Sequence, residues 1–100
     1  MSATSQFFVL VDYGPKLGRS WIERDDARCD WTSTIEDIAT GQIENMIEVR
    51  RAEDWADVTE EVARAVADRW AHDGEPLSYE RYSFVEQMLG TRAARGFLRA

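Results

Sequence analysis

A chain of 100 residues, 44% hydrophobic and 11% aromatic with four tryptophans, is long enough for one domain with a real core, because folding at this length hides about two-thirds of the chain's surface. The formal charge of −7 disfavours free nucleic acid or an anionic membrane as a partner, since bound phosphates must be neutralised by Lys and Arg. The longest apolar run, Phe7 to Val11, is five residues, far short of the ~20 of a membrane span and without a signal peptide's basic flank, so a cytoplasmic protein is expected.

The charge is unevenly spread. Residues 23–61 hold thirteen acids against four arginines, net −9, while the segments on either side are each +1. Residues 1–5 are expected to be flexible. Phe7-Phe8-Val9-Leu10-Val11 shows no polar alternation, which predicts a central strand covered on both faces. Asp12 to Gly18 supplies two glycines and a proline and is read as a turn. Arg19 to Arg24 returns as a second strand, with Trp21 and Glu23 on one face and Ser20, Ile22 and Arg24 on the other.

Asp25, Asp26 and Asp30 surround Cys29, but the central glycine and closing glutamate of a calcium loop are missing, so a solvated loop is the reading. A single cysteine forms no internal disulfide, in keeping with a reducing compartment, and no neighbouring His or Lys activates its thiol. Ser33 and Glu36 have capping-box spacing and predict a two-turn helix with Ile35, Ile38 and Ala39 inward and Gly41 as its stop. Met46 to Arg51 reads as a half-exposed strand at or near a sheet edge, Ile47 and Val49 on one face and Glu48 and Arg50 on the other.

The strongest helical pattern starts at Asp54 or Asp57 and runs to His72. Val58, Val62, Ala65 and Val66 form its stripe, Trp55 and Trp70 extend it, and Gly74 and Pro76 end it. Outside it, Glu60, Arg64 and Asp68 form a charge ladder. A last helix is predicted over Tyr79 to Leu89, capped by Ser78, stapled by Leu77 and Tyr82, and ended by Gly90. Its apolar arc of Tyr82, Phe84, Val85, Met88 and Leu89 is wider than one core contact needs. The basic tail, residues 91–100, is expected to cover part of it through Ala94, Phe97 and Leu98, leaving Arg92, Arg95 and Arg99 solvated. A second copy of the chain is the other candidate cover.

No motif of bond-making chemistry emerges. Gly14-Pro15-Lys16-Leu17-Gly18 lacks the length and the Lys-Ser/Thr ending of a phosphate loop. His72 is the only histidine and has no local partner for zinc or a nucleophile. Two of the many carboxylates could act as acid and base only if burial parted their pKa values, which residue order does not reveal. Trp31, between Asp30 and Thr32, is read as packing over the first turn of its helix, with exposure at a contact surface as the alternative.

The runs Gly18-Arg19-Ser20-Trp21, Gly41-Gln42-Ile43 and Glu53-Asp54-Trp55-Ala56-Asp57-Val58-Thr59-Glu60-Glu61 resemble, over residues 7–72, a group of short bacterial proteins with no assigned activity. The resemblance implies a stand-alone small protein and adds no catalytic residue.

The expectation is therefore one α+β domain over residues 1–100, a sheet of about three strands in the order ββαβαα with helices packed on it. The functional expectation is a non-enzymatic protein-interaction or regulatory module without cofactor or metal, joined to another protein or to itself through the last helix. Tyr82, Phe84, Met88 and Trp31 are its candidate apolar contacts. The alternative is a nucleic-acid-mimicking inhibitor of a DNA- or RNA-binding enzyme, presenting Asp25, Asp26, Asp30, Glu36 and Asp37.

Overall fold

Three apolar strand patterns and the helical stripes between and after them find their places in a computed structural model that describes residues 6–24, 26–74 and 78–98. The strands are β1 (Phe7–Asp12), β2 (Arg19–Trp21) and β3 (Met46–Arg51), and the helices are α1 (Trp31–Ala39), α2 (Thr59–Asp73), α3 (Tyr79–Leu89) and α4 (Thr91–Leu98), with a single 3-10 turn at Asp26–Arg28. The fold is α+β, as expected, and both strand pairings are antiparallel in the order β2-β1-β3. By chain contacts it divides into two compact units, one ending at Thr59 and one beginning at Glu60.

β1 is central, as predicted, but it is not covered equally on both faces. Phe7, Val9 and Val11 are buried, whereas Phe8 keeps 37% of its surface and Leu10 is half-buried. An unbroken apolar run serves a strand whose second face meets other aromatic rings just as well as one enclosed by helices, and here Phe8 lies 5.9 Å from the ring of Trp55. The inner face meets α1, where Trp31 stands edge-on to Phe7 at 5.4 Å.

β2 stops at Trp21 instead of reaching Arg24. Arg24 leaves the strand because its guanidinium is drawn inward, with only 7% of its side chain exposed. It donates to Phe7 O, to Thr34 Oγ1 at 2.9 Å and to Arg28 O, and it faces Asp37 at 3.4 Å. One cation thus ties β1, the 3-10 turn and α1 together. Among the described residues no buried side-chain nitrogen or oxygen lacks a partner, as burial of polar groups demands.

β3 occupies an edge, as read from its pattern, but its alternation is shifted. The register changes between Leu10, opposite Glu48, and Val11, opposite Met46, so Ile47 is an extra residue on the β3 side, as in a β-bulge. Met46 therefore takes the buried position that alternation gave to Ile47, which is only half-buried. The outer edge of β3 is paired by the segment that follows it. Arg51 N donates to Ala56 O, Val58 N to Val49 O, and Val49 N to Thr59 Oγ1 at 2.9 Å.

α1 begins two residues before the predicted cap. Asp30 is the N-cap and accepts from Ser33 N at 3.2 Å, so Ser33 sits at the third helical position rather than at the start. A carboxylate caps as well as a hydroxyl does, and the spacing to the donor is the same. Ile35, Ile38 and Ala39 are buried as expected, joined by Thr34, and Gly41 takes a left-handed φ of 84° just beyond the C-cap Thr40.

α2 begins at Thr59, the last residue of the first unit, and runs on in the second with Val62, Ala63, Val66, Ala67 and Trp70 buried. Ala63 and Ala67, not Ala65, fill its stripe, and Trp55 lies before the helix in a turn. The exposed pairs Arg64–Glu60 and Arg69–Asp73 decorate the helix. α3 has the predicted bounds, with Ser78 accepting from Arg81 N at 3.2 Å. Leu77 lies outside the described residues. The predicted tail is a helix, α4, packed against α3 with Ala94 fully buried. The side chains of Phe97 and Leu98 and all of Arg99 lie outside the description.

Candidate functional site

The outer face of the sheet carries the largest group of exposed aromatic rings in the first unit. Antiparallel pairing puts directly opposed residues on one face, so Phe8 with Arg50, Leu10 with Trp21 and Glu48, and Asp12 with Arg19 all lie on the side away from α1. Onto these strands folds Trp55, whose ring is 5.3 Å from Trp21 and 5.9 Å from Phe8 in tilted arrangements. Phe8, Trp21 and Trp55 remain 37%, 39% and 48% exposed.

Trp55 reaches this position through an unusual backbone. Its φ is +58°, a left-handed conformation that costs a bulky L-residue about 1–2 kcal/mol. The turn that imposes it is heavily tied. Trp55 N donates to Arg51 O at 2.8 Å, and Arg50 Nη1 donates to Trp55 O at 2.8 Å. Asp54 accepts from Arg51 Nε and Nη2 at 3.0 and 2.7 Å and from Ala56 N at 3.1 Å. The Arg51 guanidinium, followed by the Ala56 amide, holds the Asp54 carboxyl down to about 2. Asp57, hydrogen-bonded by Thr59, is also lowered.

Arg50 completes the surface. Its guanidinium lies 5.9 Å from the Trp55 ring and bonds Glu48 through Nε at 2.7 Å, and that bond raises its pKa. Rings at the centre with Arg50, Glu48, Arg19 and Asp12 around them have the layout of a contact surface, apolar in the middle and polar at the rim. A separate open depression of about 450 Å³ at the end of the sheet is lined by Val11, Tyr13, Ile22, Ile43, Glu44 and Asn45 among others. Among the described residues no group of His, Cys, Asp or Glu is placed to hold a metal ion, and no helix is long and apolar enough to cross a membrane.

The residues singled out from sequence fall in both units. Trp31 opens α1 against Phe7 and is partly exposed. Tyr82, Phe84 and Met88 are half-buried on α3, where Phe84 stands edge-on to Trp70 at 5.5 Å and Arg81 lies over the same indole at 4.9 Å. Of the acids, Asp25 lies outside the described residues, as does the side chain of Asp26, whose backbone is in the 3-10 turn. Asp30 caps α1, and Ser33 holds its carboxyl below the usual range. Asp37 is engaged by Arg28 at 2.6 Å and by Arg24, and its bond raises the Arg28 pKa. Glu36 is exposed on α1. His72 is exposed in the last turn of α2, and Cys29 is buried with its sulfur 4.0 Å from Arg24 O.

The aromatic group is not visible in residue order, where Trp55 reads either as extending the long helix or as closing its junction with the preceding strand; it lies in that junction, but neither reading brings it to Phe8 and Trp21. The available signal was the pair Asp54 and Asp57, two residues that favour turns by bonding the backbone two positions on, as both do here. Comparison with family models, curated proteins and solved structures gives no match. What this surface does is therefore a question of its own chemistry.

Proposed function

We propose that the chain is a non-enzymatic contact module and that it binds another protein through the outer face of its sheet. The observation that carries this reading is Trp55: a tied turn holds an indole in an unfavourable backbone conformation so that it stacks, still half-exposed, on Phe8 and Trp21. Such conformations persist where the surroundings over-determine them, and they cluster at functional positions. Large rigid rings ringed by Arg50, Glu48 and Arg19 suit an apolar or aromatic anchor on a partner, with charge serving orientation more than strength. Within the first unit, Asp30 and Asp37 are already engaged by Ser33, Arg24 and Arg28, which favours the aromatic face over the acidic segment as the binding surface.

Affinity capture from the native cell at low and high salt tests this reading. The expected result is a protein partner that survives high salt and is lost from Trp21→Ala and Trp55→Gly variants whose circular dichroism is unchanged. Capture that collapses with salt, and that depends instead on Asp25, Asp26, Asp30, Glu36 and Asp37 neutralised together, would sink it in favour of polyanion mimicry.

A further inference from the structure

The two edges of the sheet are treated differently. The outer edge of β3 is paired by residues 56–59, whereas β2 ends the strand order on the other side and all three of its residues are exposed. Ile22 N donates to Val9 O and Tyr13 N to Gly18 O. Hydrogen-bonded and non-hydrogen-bonded pairs alternate in an antiparallel ladder, so Ser20 bonds inward to Val11 while the amides and carbonyls of Arg19 and Trp21 point away from β1. The Trp21 carbonyl accepts the Ser20 hydroxyl at 3.3 Å and retains a second lone pair.

We propose that this edge pairs with the same edge of a second copy, forming a six-stranded antiparallel sheet about a two-fold axis at Ser20. The three residues are self-complementary in that arrangement. Ser20 faces the partner copy's Ser20, and Arg19 faces the partner's Trp21 on both sides of the axis, exchanging backbone bonds in each pair. Each guanidinium then lies across from an indole on the outer face, a favourable cation–aromatic pairing, and no like charges sit directly opposite, the two Arg19 side chains being diagonal neighbours. A foreign strand would share only the backbone bonds. The two Trp21 side chains become diagonal neighbours, ~7–8 Å apart in such a ladder, so the aromatic groups of both copies join into one strip. The contact is isologous, as closed dimers require, and three residues per copy make it weak and reversible.

Sedimentation of the full chain from roughly 1 to 200 μM tests this, since self-association depends on concentration. The expected result is a monomer–dimer equilibrium in that range, weakened at least ~10-fold by Arg19→Glu, which replaces the cation facing each indole. Ser20→Cys supplies the register. Opposed side chains at a non-hydrogen-bonded pair are within disulfide reach, so mild oxidation should yield a covalent dimer much faster than for Glu23→Cys, and the buried Cys29 does not compete. A chain that stays monomeric, or a dimer indifferent to Arg19→Glu in which the two cysteine variants crosslink equally, would overturn the proposal; the second outcome assigns self-association to another surface, such as α3. Neither outcome bears on partner capture by Trp55, so the two proposals fail separately.

Discussion

At the scale of single residues, the same types of side chain carry very different weights. Trp55 combines a backbone cost of about 1–2 kcal/mol with ring contacts to Phe8 and Trp21 that are worth about 0.5–1.5 kcal/mol each beyond their area. Trp55→Gly relieves the first and loses the second, so urea unfolding should place its stability within about 1–2 kcal/mol of the parent while partner capture is lost. Arg24 is the opposite case. Its buried guanidinium serves Thr34, Phe7, Arg28 and Asp37 at once, and Arg24→Met should cost about 3 kcal/mol in the same assay, because breaking a buried ionic network leaves its acceptors unserved. Arg28 touches the same carboxylate from solvent, and Arg28→Met should cost much less than Arg24→Met in that assay, as exposed ion pairs do.

At the scale of elements, the turn from Arg51 to Ala56 is the device that shapes the aromatic face, and its chemistry predicts a pH response. The Asp54 carboxyl is held at about 2 by Arg51 and Ala56, below its ordinary value near 4. A depressed carboxyl stabilises the fold above its unfolded pKa and loses that contribution as pH falls through the folded one. The Trp55 environment, followed by the indole N–H in nuclear magnetic resonance, should thus hold to about pH 4 and loosen between there and about pH 2. Asp54→Asn should abolish that step. An unchanged step in the variant would assign it to another carboxyl, Asp57 or Asp30 being the other lowered groups. Element identity was legible in the residue pattern because it follows from period. Boundaries were less so: Asp30 outcompeted Ser33 as cap, and Arg24 left β2 for a buried network that no periodicity encodes.

At the scale of the whole molecule, residues 1–59 carry twelve acids against six basic residues, and the exposed ion pairs within them, such as Arg51–Asp54, offset little of that excess. Screening relieves self-repulsion, so raising NaCl to ~0.5 M should lift the thermal midpoint of the sheet unit, read by Trp fluorescence, and a fall would show that its ion pairs outweigh the repulsion. Sequence by itself determined the α+β class, β1's central position, the helix over Tyr79–Leu89 and the left-handed stop at Gly41, since each depends on local period, on steric freedom at glycine or on side chains within a few residues. Only the tertiary structure decided the site. Phe8, Trp21 and Trp55 are far apart in the chain, and their meeting depends on strand register, on a bulge in β3 and on a turn whose bonds outweigh the strain at Trp55, all of which are non-local balances that no stretch of sequence displays alone.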